Sequence, residues 1–170
     1  DPLLLNWEKL GTGPVIPMHT DESPYVIYDP CIWRKGEDYY SLSGYMLPDG
    51  PGGKPHNAVF LFRSRNLIEW EYLHPFVEHN QYSEVGDDGA CPYFWPIGHK
   101  HMLLYFSHRS GGKYLVGDYE TERDKLVVTS GGDFNFGPVG PGGVHAPSAA
   151  PDGDDIIAIF NMNPGKPTEG

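Results

Sequence analysis

The chain has 170 residues, of which 39% are hydrophobic and 21% charged, and its formal charge is −11. This composition is typical of one globular domain with a buried core. The charge argues against nucleic acid and anionic membranes as partners, because both attract clustered Lys and Arg, whereas neutral ligands such as sugars remain permitted.

In chain order, the sequence predicts short strands separated by turns rich in Gly and Pro. Apolar and polar residues alternate with a period of 2 and not with the 3.6 of an α-helix, so no helix is predicted. The predicted strands cover residues 5–10, 31–33, 39–45, 58–63, 69–73, 101–107, 114–119, 126–129 and 156–160, with turns at Gly36, Gly98 and Asp152-Gly153. The segment 131–143 is predicted to be a loop; because no helix follows it, a phosphate cradle is not expected there.

A three-residue pattern that ends in proline occurs at residues 28–30, 90–92 and 145–147, and each copy precedes a similar stretch of chain. A second repeat relates residues 5–10 to residues 68–73. Repeats of about 40 to 60 residues that contain several short strands indicate a β-propeller. We therefore predict one propeller domain over 1–170, with 1–27 as the end of a blade and a linker, 28–89 and 90–144 as blades, and 145–170 as the start of another. A propeller needs at least about four blades, so this sequence is expected to cover part of one.

The innermost strand of each blade lines the funnel of a propeller, so the residues that open these strands should converge at its mouth. These residues are Tyr28, Asp29, Ala90, Cys91, His145 and Ala146. Asp29 is the strongest candidate functional residue, because a carboxylate between Tyr28 and apolar neighbours is not typical of a solvated surface charge. It would either hold sugar hydroxyls and stabilise positive charge near a reacting carbon, or cap backbone amides at the start of its strand.

Several ordered segments resemble glycoside hydrolase family 32, which includes invertases, levanases and inulinases. The resemblance rests on residues 6–10, 14–16, 28–30 with Trp33, 90–98 and 114–119. It implies an all-β fold, a partial five-bladed β-propeller covering roughly blades three to five. It also implies a carbohydrate ligand and retaining hydrolysis of β-fructosidic bonds. No cofactor is expected.

The family's motifs place roles on individual residues. Asp29 matches the transition-state stabiliser of an Arg-Asp-Pro motif, and Cys91 matches the Cys of a Glu-Cys-Pro motif. Tyr28 stands where that Arg is expected, and Ala90 stands where the acid/base Glu is expected. The resemblance puts the nucleophilic Asp in a first blade, upstream of this sequence.

Alanine at position 90 departs seriously from the family's Glu-Cys-Pro motif. Retaining hydrolysis needs one carboxylate to protonate the leaving oxygen and another to attack. Three explanations remain open: a divergent enzyme whose acid comes from elsewhere, a binding protein that lost the chemistry, or an engineered inactive variant. The additional loss of Arg at Tyr28 favours natural divergence.

Asp88 and His145 are the main candidates to replace the missing acid, and Asp87 and Glu84 are weaker ones. Asp88 precedes Ala90 by two positions, so an extended strand would point both to one side. The alternative is that Glu84, Asp87 and Asp88 form a solvated loop. His145 can donate a proton near neutral pH or bind a hydroxyl, or it is a hydrogen-bonded residue at the start of its strand.

Other reactive side chains are interpreted as structural. Cys31 and Cys91 are expected to be free rather than joined, because free Cys is common in protein interiors. His99, His101 and His108 have no further ligand spaced to complete a zinc site. Packing is favoured over sugar stacking for the aromatic residues near the inner strands, which are Trp33, Tyr93 and Trp95.

The leading prediction is a glycosidase-like propeller that hydrolyses or binds a fructoside or related glycoside in its funnel, with Asp29 and Asp88 as catalytic candidates. The alternative is an inactive sugar-binding propeller. A third possibility is a structural propeller with an apolar funnel. No apolar run reaches the roughly 20 residues of a membrane span, and no signal peptide is visible, so the compartment is not predicted.

Overall fold

The computed structural model describes residues 3, 5–9, 11–47, 53–54, 56–134, 143–153 and 155–163, without the side chains of 143–145, 162 and 163. The regular elements of this part of the chain are β-strands, as predicted. None of its segments is a helix long and apolar enough to cross a membrane.

The strands form two sheets and a separate hairpin. The first sheet is an antiparallel meander of β1 (Pro30–Lys35), β2 (Asp38–Leu47), β3 (His56–Ser64) and β4 (Glu71–Pro75). The second sheet has the order β5-β9-β8-β7-β6, in which the strands are β5 (Val77–Glu78), β6 (Ala90–Ile97), β7 (Lys100–Ser107), β8 (Gly111–Glu120) and β9 (Lys125–Asp133). The hairpin consists of β10 (Gly143–Asp152) and β11 (Asp155–Asn163).

The sequence repeat has a direct structural counterpart in three hairpins of the same construction. Hairpins β1–β2, β6–β7 and β10–β11 each close over two residues. The first residue of each turn is a glycine with positive φ, namely Gly36 (63°), Gly98 (57°) and Gly153 (61°). Two-residue hairpin turns favour such residues because their backbone twist matches that of the strands. The turns predicted at these positions are confirmed.

The core lies between the two sheets. Leu42 of β2, Leu61 of β3, and Leu103 and Tyr105 of β7 are fully buried in one cluster, together with Phe76, which follows β4. Burial of each such side chain contributes about 1.5–3 kcal/mol to folding. A second cluster around Phe60 and Phe62 covers the outer face of the first sheet and is closed by residues 25–27. Strand β3 is therefore buried on both faces, which explains its uninterrupted apolar run from Ala58 to Phe62.

The two sheets approach closely where Gly89, directly before β6, meets β2. A Cβ atom built on Gly44 would lie 1.8 Å from the carbonyl oxygen of Gly89, so only glycine permits this approach. Gly89 itself has a φ of 67°. These two glycines fix the position of Ala90 and Cys91 relative to the first sheet.

The structure corrects several strand predictions. The strand predicted over residues 5–10 is wrong for residues 5–9, which form no strand. The strand predicted at 69–73 begins two residues later, at Glu71. The predicted loop is shorter than 131–143, because β9 extends to Asp133 and β10 begins at Gly143; residues 135–142 lie outside the described residues. The division into blades stays a prediction, and β5, placed in the first of them, pairs in parallel with β9 of the second sheet.

Candidate functional site

The first two copies of the repeated pattern meet at the mouth, at Asp29 and Cys91. Asp29 is exposed and lies one residue before β1. Its Oδ2 accepts hydrogen bonds from the backbone N–H of Cys91 at 3.2 Å and from the Cys91 Sγ at 3.3 Å. The adjacent Tyr28 is anchored by its N–H, which donates to Ser43 Oγ at 2.7 Å. The predicted convergence of these inner-strand openings is therefore present for Asp29 and Cys91.

The second and third copies share an unusual backbone conformation. Cys91 and Ala146 have positive φ angles of 49° and 41°, although neither is glycine and each precedes a proline. Register shifts accompany both, between Ala90 and Tyr93 and between His145 and Ser148. Such conformations cost about 1–3 kcal/mol and are kept where they aim a group at a site. At Cys91 the result is an N–H directed at Asp29.

The Cys91 thiol is held in its protonated form. Burial and, next, the hydrogen bond to the Asp29 carboxylate raise its pKa to about 12. A thiol in this state is a poor nucleophile at neutral pH, because the reactive species is the thiolate. Cys91 is therefore suited to donating a hydrogen bond, and Cys31 is a separate, buried free thiol.

This coupling predicts that Asp29→Asn will accelerate alkylation of Cys91. The substitution removes the negative charge that opposes thiolate formation, so the pKa of Cys91 should fall and its rate with iodoacetamide should rise at every pH below about 12. Peptide mapping after timed alkylation measures the rate at Cys91 alone. Glu122→Gln, which changes an exposed carboxylate in the turn between β8 and β9, should leave the rate unchanged. Equal rates in all three proteins would contradict the coupling.

Tyr28 belongs to a small aromatic platform at the mouth. Its ring stacks on Tyr45 at a centroid distance of 4.9 Å and lies 5.6 Å from the ring of His19. Half of Tyr28 is exposed. Aromatic faces of this kind can stack on the apolar face of a sugar. Sequence reasoning selected Tyr28 and missed Tyr45 and His19, whose proximity depends on strand pairing and on the path of the chain before β1.

The position of the missing acid, Ala90, and its candidate replacement, Asp88, have different surroundings. Ala90 opens β6 opposite Phe106, and its methyl group has no proton to transfer. Asp88 is oriented toward the turn after β7: its Oδ1 accepts from the His108 N–H at 3.1 Å, and its Oδ2 lies 2.6 Å from His108 Nδ1. A catalytic role for Asp88 stays a prediction.

The weaker candidates Asp87 and Glu84 belong to an ion-pair network around Lys113, and the prediction of a solvated loop is wrong for Asp87. Asp87 is fully buried and accepts from the Glu84 N–H at 2.7 Å and the Ser110 Oγ at 2.5 Å. Lys113 is 2% exposed and lies 3.2 Å from Glu84, 2.7 Å from Asp133 and 3.9 Å from Asp87. Burial acts to lower the pKa of Lys113, but these carboxylates outweigh it and the pKa is raised. The network is structural and holds the segment that leads into β6.

The third copy of the repeated pattern, at residues 145–147, is described only in part. His145 lies in β10 opposite Asn161, and its side chain is outside the described residues. Its proposed role as a proton donor or hydroxyl ligand therefore stays a prediction. The hydroxyls of Ser148 and of Tyr93 in β6 lie 3.4 Å apart, which brings β10 beside the second inner strand.

A cavity of about 790 Å³ runs along the inner strands β1, β6 and β10, beginning at Pro30 beside the mouth. Its lining includes Trp33, Tyr93 and Trp95. Trp33 also packs on the core, with its ring stacked on Tyr40 at 5.6 Å. Among the side chains that the structure describes, no three His, Cys, Asp or Glu residues are grouped so as to hold a metal ion.

Strands β1 and β6 both begin at the mouth. The two sheets that contain them form part of a five-bladed β-propeller. The family model described as the glycosyl hydrolases family 32 N-terminal domain matches residues 3–148, and the chain belongs to that family. The resemblance noted from the sequence is thereby confirmed.

Similar proteins are β-fructosidases and related hydrolases. The chain is 27% identical over 154 residues to the β-fructofuranosidase insoluble isoenzyme 6 of Oryza sativa subsp. japonica, a match covering 75% of this chain and 24% of that protein. It is 25% identical over 126 residues to the sucrose-6-phosphate hydrolase of Vibrio alginolyticus, covering 62% and 25% of the two proteins.

A solved structure supports the fold. The GH32 β-fructofuranosidase BmSUC1 of Bombyx mori superposes with a TM-score of 0.72 at 19% identity, covering 92% of this chain and 33% of that one. A variant of the same enzyme has been solved in complex with sucrose. The chain thus spans about a quarter of the curated relatives it matches and a third of this structure.

Proposed function

We propose that this protein recognises a β-fructoside or a related glycoside at the mouth, with Asp29 as the principal hydroxyl ligand. One observation carries the proposal. Asp29 Oδ2 is fixed by the two hydrogen bonds from Cys91, whereas its Oδ1 accepts no hydrogen bond from the residues that the structure describes. An exposed carboxylate held through one oxygen offers the other to a ligand hydroxyl, as a charge-assisted hydrogen bond.

The remaining groups at the mouth are compatible with a sugar. The half-exposed ring of Tyr28, supported by Tyr45, offers an apolar face beside the carboxylate. The charge of Asp29 would also favour positive charge developing on an anomeric carbon. The curated relatives are named as a β-fructofuranosidase and a sucrose-6-phosphate hydrolase. A fructoside bound at the mouth would belong to the class of ligand that these names indicate.

Hydrolysis is the second candidate function, and family membership favours it. Position 90 provides no proton donor, so bond cleavage would depend on Asp88, on His145 or on a residue elsewhere in the protein. Asp88 is engaged with His108, which favours recognition over turnover. Assay of the full natural chain on sucrose, levan and inulin separates these functions, since only a hydrolase releases free fructose.

The proposal predicts that Asp29→Asn weakens fructoside binding by about tenfold to a hundredfold. The substitution replaces a charge-assisted hydrogen bond, worth about 1.5–3 kcal/mol, with a neutral one. Isothermal titration of the full natural chain with sucrose and with short fructo-oligosaccharides measures the change. Glu122→Gln, in the turn between β8 and β9, serves as the matched control and should bind as the unsubstituted protein does. Unchanged affinity in Asp29→Asn would overturn the proposed site.

A further inference from the structure

The turn between β7 and β8, residues 108–110, lies at the same end of the second sheet as the start of β6. Ala90, the first residue of β6, pairs with Phe106 near the end of β7. Asp88 Oδ1 accepts from the His108 N–H at 3.1 Å, and Asp88 Oδ2 lies 2.6 Å from His108 Nδ1. The segment before β6 and the β7–β8 turn are therefore in direct contact beside the mouth.

A buried hydrogen bond joins the same two segments. The Ser110 hydroxyl donates to Asp87 Oδ1 at 2.5 Å, and these residues are 8% and 0% exposed. Asp87 Oδ2 accepts from the Glu84 N–H at 2.7 Å, and the Asp87 N–H donates to the Glu84 carbonyl oxygen at 3.1 Å. Both carboxylate oxygens of Asp87 thus have a partner. Because hydrogen bonds to a carboxylate are strong, Ser110 ties the closed turn 84–87 firmly to the second sheet.

Ser110 is itself held in place by the end of β7. Its N–H donates to Ser107 Oγ at 3.2 Å, and the Arg109 N–H donates to the same oxygen at 3.2 Å. Ser107 is fully buried and is the last residue of β7, which pairs with strands on both sides. A side chain supported in this way presents its hydroxyl in one position, as a residue that supports a site must.

The chain between Asp87 and the mouth has little freedom. A Cβ atom built on Gly44 would lie 1.8 Å from the Gly89 carbonyl oxygen, so Gly89 is packed directly on β2. Cys91 has a φ of 49°, which is a strained conformation for a residue other than glycine. Such strain persists only where the surrounding structure over-determines the backbone. The position of Asp87 is one of the constraints that act on Cys91.

We propose that Ser110 is a positioning residue of the mouth. Through Asp87 it determines how the chain enters β6, and it thereby directs the N–H and the thiol of Cys91 at Asp29 Oδ2. The effect on the contact between Cys91 and Asp29 does not depend on any ligand. The effect on ligand affinity rests on the proposed function, in which Asp29 binds a sugar hydroxyl.

The test is Ser110→Ala in the full natural chain. Without the Ser110 hydroxyl, Cys91 should contact the Asp29 carboxylate for less of the time, so the pKa of its thiol should fall. Alkylation of Cys91 by iodoacetamide should become about tenfold faster, and binding of short fructo-oligosaccharides about threefold weaker. Ser110→Thr keeps the hydroxyl and should restore both values. Peptide mapping after timed alkylation and isothermal titration measure the two effects.

Ser64→Ala is the matched control, because it also removes a buried hydroxyl that supports a turn. Ser64 is 3% exposed, is the last residue of β3, and accepts from the N–H groups of Asn66 and Leu67. It pairs with Tyr39, near the β1–β2 turn and away from the mouth. Ser64→Ala should lower the unfolding midpoint in urea without changing the alkylation of Cys91 or ligand affinity.

A double substitution distinguishes positioning from a general loss of stability. In Asp29→Asn the charge that opposes thiolate formation is already absent, so adding Ser110→Ala should not accelerate alkylation of Cys91 further. If Ser110→Ala does not fold, Ser110→Cys keeps the size of the side chain with only a weak donor, and peptide mapping distinguishes the thiols.

Two results would overturn the positioning role of Ser110. One is Cys91 alkylation that is no faster in Ser110→Ala than in Ser64→Ala, and the other is additive acceleration in the double variant. Ligand affinity that is unchanged in both Ser110→Ala and Asp29→Asn, with alkylation accelerated as expected, would overturn the proposed function instead.

Discussion

Replacing Ala90 by Glu should raise the rate of sucrose hydrolysis by the full natural chain by about 10²–10⁴-fold, the usual contribution of a positioned general acid. Position 90 opens β6, directly before Cys91, whose N–H and thiol contact Asp29. A carboxyl group at this point would lie at the mouth beside the bound sugar. It would supply the proton that a leaving oxygen needs and that alanine cannot give. Initial rates of glucose release measure the gain.

Ala90→Gln is the matched control, because it has nearly the same size and hydrogen-bonding capacity but transfers no proton. It should show no gain, and Asp29→Asn combined with Ala90→Glu should lose most of it. If Ala90→Glu is no faster than Ala90→Gln, the missing acid is not what limits hydrolysis. If the unsubstituted protein already turns over and Asp88→Asn abolishes this, the acid has moved to Asp88.

The largest expected effect on stability is at Lys113, where Lys113→Met should lower the free energy of unfolding by about 3–5 kcal/mol. The ammonium is 2% exposed and compensates Asp87, which is fully buried. Removing it leaves a buried carboxylate without its counter-charge, and methionine keeps most of the packing of the side chain. Urea unfolding gives the change directly.

Lys100→Met is the control for this prediction. Lys100 pairs with Asp118 at 2.7 Å on the surface, so its loss should cost about 1 kcal/mol or less. Asp87→Asn combined with Lys113→Met should recover part of the loss, because the amide keeps hydrogen-bonding capacity without the charge. A cost at Lys113 no larger than at Lys100 would show that the network does not stabilise the segment before β6.

The sequence predicted the repeat units well because local signals define them. The turns at Gly36, Gly98 and Gly153 follow from glycine between alternating strands, and the structure gives each the same two-residue form. The strand predicted at residues 5–10 is wrong for residues 5–9, because local signals alone do not define a strand. Strand formation depends on pairing with a neighbouring strand, which the local pattern of residues 5–9 does not specify.

The proximity of Asp29 and Cys91 was predictable from the sequence, whereas the details of their contacts were not. The repeat placed Asp29 and Cys91 at equivalent positions, and they lie in contact. The positive φ of Cys91 is not visible in the sequence, since the residue before a proline normally favours extended conformations. The partner of Asp88 was equally hidden, because His108 is distant in sequence and approaches only through the β7–β8 turn.

The measurement that tests the central claim most directly is a crystal structure of the full natural chain with a bound fructo-oligosaccharide. We expect a sugar hydroxyl within about 3 Å of Asp29 Oδ1, as for charge-assisted hydrogen bonds, while Oδ2 keeps its contacts with Cys91. A sugar bound elsewhere, with Asp29 contacting only Cys91 and water, would contradict the account.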